Sequence, residues 1–104
     1  MRREKRKFVR LNKCVDVTYV SLTTMRSPFN SLTKEIGGGG ICIYLKGAIK
    51  KGEVLELEMR LPGKKPIFAI GKVVWIKGKP DKPEAGIEFV AIRAKDKARV
   101  LGLA

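Results

Sequence analysis

Apolar and polar residues alternate with a two-residue period at five places along the chain. That period puts successive side chains on opposite faces of a β-strand. In Val15-Asp16-Val17-Thr18-Tyr19 the apolar positions share one face, and Ile41, Ile43 and Leu45 do the same farther on. The clearest run is Val54 to Leu61. There Leu55, Leu57, Met59 and Leu61 face one way, and Glu56, Glu58 and Arg60 face the other. Phe68, Ile70, Val74 and Ile76 make a fourth stripe, expected to face a core, with Lys72 as its flaw. Ala85, Ile87 and Phe89 make the last.

Turn chemistry separates these runs. Lys51-Gly52-Glu53 precedes one strand, and Pro62-Gly63-Lys64-Lys65-Pro66 predicts a hairpin loop. Gly78-Lys79-Pro80-Asp81-Lys82-Pro83 predicts a longer polar loop before the last strand. Short strands with one apolar face each predict an all-β antiparallel barrel or sandwich. A barrel is favoured because closure removes exposed strand edges. Only the end has helix formers, over Ala94 to Leu101 and extending to about residue 103. Isolated helices below about 12–15 residues are marginal, so this one is expected to pack Val100 and Leu101 on the barrel.

Composition narrows the function. The 104 residues make one domain, and 44% hydrophobic content is enough for a modest core. With no His there is no His-based general base, triad or metal ligand. Cys14 and Cys42 form no CxxC pair, leaving a disulfide or, in a reducing cytosol, two buried free thiols. The longest apolar stretch, Ile67 to Ile76, is broken by Lys72 and falls short of the ~18 residues of a membrane span. The basic N-terminus lacks the apolar region of a signal peptide, so a cytoplasmic location is expected. Nothing in the sequence resembles a nucleophile–base pair or carboxylate dyad, so a binding module without cofactor or metal is expected, not an enzyme.

Charge sharpens this. The chain carries 23 Lys and Arg against 10 Asp and Glu, a net +13. Residues 1–13 hold seven basic groups against Glu4 alone, a net +6. The domain organisation expected is a basic arm over 1–13 and a single barrel domain over 14–104. Phe8, Val9 and Leu11 within the arm suggest that part of it docks on the body.

Two motifs and their order then point to a family. The arm contains Arg6-Lys7-Phe8-Val9-Arg10, an RxxxR; Arg2 and Arg6 share the spacing, but the position of Phe8 selects Arg6 and Arg10. Farther on lies Thr33-Lys34-Glu35-Ile36-Gly37-Gly38-Gly39-Gly40-Ile41, then Leu55-Glu56-Leu57-Glu58-Met59-Arg60-Leu61-Pro62-Gly63, Gly71-Lys72-Val73-Val74-Trp75 and Ala85-Gly86-Ile87-Glu88-Phe89. Over essentially its whole length the chain resembles a PilZ domain. The resemblance implies a six-stranded antiparallel β-barrel with a short C-terminal helix, and a receptor for the bacterial second messenger cyclic di-GMP. It implies ligand contacts from Arg6 and Arg10 in the arm. It also implies contacts from the family's D/N-x-S-x-x-G, here Glu35, Gly37 and Gly40. Glu35 replaces the Asp or Asn, Gly37 replaces the Ser, and Gly40 matches.

These residue types suit that ligand. A guanidinium can fork onto a phosphate or onto guanine O6 and N7, and can stack on a base. A carboxylate at Glu35 can accept from guanine N1–H and N2–H together. Gly37 lacks the Ser hydroxyl, yet glycine N–H groups can line an anion site. Lys5 and Lys7 would add charge near the phosphates. Read without the resemblance, the arginines are equally solvated charges, Glu35 an exposed strand residue and the glycines a flexible turn. Cys42, Tyr44 and Trp75 read as packing or barrel-surface residues.

The mechanism expected is ordering of the arm over the barrel when ligand phosphates neutralise Arg6 and Arg10. With the chain beginning at Met1, the output is expected to pass to another protein, or to a change of state between monomer and dimer. Two other readings stay open. One is a PilZ-like adaptor that has lost its nucleotide. The other is a basic barrel binding nucleic acid weakly and without sequence preference.

Overall fold

The computed structural model describes residues 10–11, 13–24 and 27–102. Its elements run β1 (Arg10–Leu11), β2 (Asp16–Ser21), β3 (Phe29–Gly37), β4 (Gly40–Tyr44), β5 (Val54–Arg60), β6 (Ile67–Lys79), β7 (Lys82–Ile92) and α1 (Ala94–Leu101). The strands lie in the order β1-β3-β2-β5-β6-β7-β4, all antiparallel, and β4 pairs back onto β3. Six strands therefore close into a barrel, the expected fold. β1 is a two-residue addition that follows β2 along the same edge of β3.

The alternating runs at β2, β4 and β5 fill the interior in the expected phase. Val17, Tyr19, Ile43, Leu55, Leu57 and Met59 are all inaccessible to solvent or nearly so. Burying each such side chain contributes about 1.5–3 kcal/mol before entropy is counted. Tyr19 keeps its polar end satisfied. Its hydroxyl donates to the Lys46 carbonyl at 2.6 Å and accepts from the Lys46 N–H at 2.8 Å.

β3 is the strand that alternation does not reveal. Its inward positions include Ser31 and Thr33, while Leu32 points to solvent. The inward hydroxyls are not orphaned. Thr33 Oγ1 donates to the Lys13 carbonyl at 2.6 Å and accepts from the Val15 N–H at 2.9 Å. Ser31 Oγ donates to the Tyr44 carbonyl.

The phase expected for β6 is reversed. Ile67, Ala69 and Val73 face the core, whereas Phe68 and Ile76 are exposed and Ile70 and Val74 only half-buried. Both faces of this strand are apolar, so alternation alone cannot choose between them. Packing chooses. A Cβ on Gly71 would lie 2.4 Å from Ile87 Cγ2, and that tight, small-residue face is the one a six-stranded barrel can enclose.

The expected loop over Gly78 to Pro83 is also shorter than its composition suggests. β6 runs to Lys79 and β7 restarts at Lys82, leaving Pro80 and Asp81 as the turn. Gly78 supports this with φ 103°, a conformation that residues with a Cβ rarely adopt. At the C-terminus α1 buries Val100, but Leu101 stays exposed rather than packing on the barrel. Gly102 caps the helix. Its anchor is polar. Asp96 is only 1% exposed and takes hydrogen bonds from Arg93 and Arg99. Arg99 also donates to the carbonyls of Lys65 and Pro66 in the β5–β6 loop. Both cysteines are free, but only Cys42 is buried; Cys14 is exposed, because it sits in the open segment before β2.

Candidate functional site: the glycine turn and its neighbouring face

The glycine run makes the hairpin between β3 and β4. Gly37 pairs with Gly40, and Gly38 and Gly39 form the two-residue turn. Gly40 has a packing reason to be glycine. A Cβ there would lie 2.1 Å from the Ile87 carbonyl oxygen, because β4 runs hard against β7. The Phe89 N–H donates to the Gly39 carbonyl at 2.9 Å, tying the turn to the same strand. The clash is with backbone, which cannot rotate away. Gly40→Ala is therefore expected to cost about 1–3 kcal/mol of stability, read by denaturant unfolding.

A bulge in β3 sets up the other half of the site. Thr33 pairs with Ile43 and Glu35 with Cys42, so Lys34 is an extra residue between them. Thr33 and Ile36 are buried while Lys34 is exposed and Glu35 half-buried. The extra residue thus brings two successive charged residues, Lys34 and Glu35, to the outer side, with the Glu35 carboxylate acting on Cys42.

The arm meets this strand end. Arg10 pairs with Gly37 and Leu11 with Ile36. Of the site residues expected from sequence, Arg10, Glu35, Gly37 and Gly40 are therefore within one corner of the backbone. Arg6, Lys5 and Lys7 lie outside the described residues, as do Phe8 and Val9.

Strand pairing extends the corner into a face. Glu35 opposes Cys42, Cys42 opposes Gly86, and Gly86 opposes Trp75. Three strand spacings make that row about 14 Å wide. The indole lies on Gly86, where a Cβ would fall 2.1 Å from the ring. Lys77 Nζ sits 4.7 Å from the Trp75 ring centroid, and Lys82 Nζ 5.3 Å from that of Tyr44. Lys34 Nζ binds both Glu84 carboxylate oxygens, at 3.1 and 3.0 Å. Burial, then the carboxylates of Glu84 and Glu35, push the Cys42 thiol up to about 11, so it is protonated and unreactive at neutral pH.

This face carries two cation-capped aromatic rings beside a glycine turn. Its outward groups are these half-buried rings and the Lys34, Lys77 and Lys82 ammonium groups, which suit a ligand that is planar in part and anionic in part, while Gly37, Gly38 and Gly40 are buried. Tyr44 and Trp75 are half-buried surface residues, in keeping with their sequence reading. Trp75, Lys34 and Glu84 belong to the face only through strand register, which no local spacing announces. Among the described residues no cluster of three or more His, Cys, Asp or Glu side chains could hold a metal, and no helix is long and apolar enough to cross a membrane.

A PilZ domain family model matches residues 4–103. No curated protein sequence matches the chain. Among solved structures, the Bacillus subtilis inhibitor of motility superposes with a TM-score of 0.85 at 26% identity. That match covers 99% of this chain and 51% of that one, so the chain spans about half the length of that protein. The PilZ domain of YcgR from Escherichia coli, solved with c-di-GMP, superposes with a TM-score of 0.78 at 11% identity, covering 96% and 88% of the two chains. The PilZ domain of CeSA from a cellulose-synthesizing bacterium gives 0.66 at 9%, covering 91% and 93%.

Proposed function

Since this chain belongs to the PilZ domain family, we propose that it is a cytoplasmic receptor for cyclic di-GMP that relays binding to a partner protein. The observation supporting this reading is the backbone pairing of Arg10, the second arginine of the RxxxR, with Gly37 of the glycine turn. Glu35 is delivered beside it by the bulge. The phosphates are bound by Arg6 and Arg10 with Lys5 and Lys7 adding field. Glu35 accepts from a guanine edge, and Gly37 and Gly40 hold the turn against which the ligand sits. Binding neutralises Arg6 and Arg10 and orders the arm over the barrel, changing the surface a partner meets.

Gly37 offers no hydroxyl where the family's motif has one, so affinity is moderate. Titration calorimetry of the full chain with cyclic di-GMP is expected to give saturable heat with Kd on the order of 10 μM. Trp75 fluorescence is expected to change over the same range, because its ring shares a cross-strand row with Glu35. No heat and no fluorescence change at several hundred micromolar ligand, roughly a millimolar Kd, would overturn the receptor reading. It would leave the adaptor that the Gly37 departure favours. Binding to any DNA with a steep salt slope and no saturable dinucleotide site would point instead to the nucleic-acid reading.

A further inference from the structure

We infer that the outer face of β5, β6 and β7 is a self-complementary interface through which two copies of this chain associate. The inference is independent of the nucleotide. It starts from the reversed phase of β6. Ile67-Phe68-Ala69-Ile70 is apolar on both faces, a pattern that belongs to strands covered on both sides. The barrel covers only the inner one. Outside, Phe68 is 48% exposed, and Val90, the unpaired residue of the β7 bulge, is 55% exposed. Between the strands lies a cleft of about 540 Å³ lined by Glu56, Phe68, Ile70, Ala91, Ile92 and Arg93.

The distribution of charge around the cleft identifies the occupant. Glu56 opposes Ile70, and Ile70 opposes Ala91, so one row runs from an acid on β5 across apolar residues to β7. Arg93 follows β7 on the far side of the cleft. Two strand spacings, about 10 Å, separate the acidic side from the basic side. A twofold axis lying between two such faces, parallel to β6, sets Glu56 of each copy against Arg93 of the other. The same rotation sets Phe68 of each copy against Phe68 of the other, at the centre of the face. A partner with one sign of charge across the face would instead meet a like charge at one end. The net +13 opposes association, but nearly half of it lies in residues 1–13, and screening at physiological salt acts beyond about 8 Å.

Sedimentation of the full chain without nucleotide, from about 5 to 200 μM, is expected to show a reversible monomer–dimer equilibrium. Phe68→Ser is expected to weaken it about tenfold or more. Glu56→Arg is expected to do the same by placing Arg against Arg. Neither side chain enters the core, so circular dichroism should be unchanged in both. A monomer throughout the range, or a dimer indifferent to both Phe68→Ser and Glu56→Arg, would overturn the inference.

Discussion

Replacing Arg6 and Arg10 together by alanine is expected to remove cyclic di-GMP binding, weakening it by at least about a hundredfold. A hydrogen bond to a charged group is worth about 1.5–3 kcal/mol, and each guanidinium can make two to one phosphate or one guanine edge. Losing both residues therefore removes several kcal/mol from an affinity that is only about 7 kcal/mol at 10 μM. The fold should survive. Arg10 contributes backbone to β1, and alanine keeps that backbone, so the strand signal in circular dichroism should be unchanged. Weak binding to unspecific DNA should fall only modestly, since the variant loses two of 23 basic groups. Undiminished dinucleotide binding in a folded double variant would remove the arm from the site and with it the proposed ordering mechanism.

The second large effect concerns stability and lies at the opposite end of the chain. Asp96→Ala is expected to destabilise the domain by about 2–3 kcal/mol, because it deletes a buried carboxylate that accepts charged hydrogen bonds from two arginines. Arg99 would lose one of the contacts that orient it toward the β5–β6 loop, so α1 should loosen first. The pH dependence follows from the same geometry. Burial raises the Asp96 pKa, but the guanidiniums of Arg93 and Arg99 outweigh it and hold the carboxyl below its ordinary value of 3.8. A depressed folded pKa means the unfolded chain binds the proton first. The contribution is therefore complete well above pH 3.8 and is lost as pH falls below that value toward the folded pKa. Thermal unfolding from pH 6 down to 2.5 should show this acid loss in the parent chain and a shallower one in Asp96→Asn. Equal slopes would place the acid sensitivity elsewhere.

Much of this protein was legible along the chain because a period of two is a local property. Leu55, Leu57 and Met59 alternate with Glu56 and Glu58, and only one face of such a strand can be buried. The same rule failed where its premise failed. β6 carries apolar residues on both faces, and β3 turns Ser31 and Thr33 inward, so neither strand announces its core side by hydropathy. The cysteines show the same limit, since apolarity suggests that Cys14 is buried but its place before β2 leaves it exposed.

The candidate site divides along the same line. Sequence alone determined the residue types, with guanidiniums at Arg6 and Arg10, a carboxylate at Glu35 and a glycine run ending at Gly40, because those are matters of spacing and chemistry. Tertiary structure decided what stands next to what. Arg10 and Gly37 are 27 positions apart and become neighbours through the β1–β3 pairing. Trp75 reaches the row of Glu35 through three successive strand registers. The outward apolar stripe of β6 exists because a small barrel can enclose only its narrower face. Registers and enclosed volume arise from the packing of all six strands at once, and no short stretch of sequence contains that information.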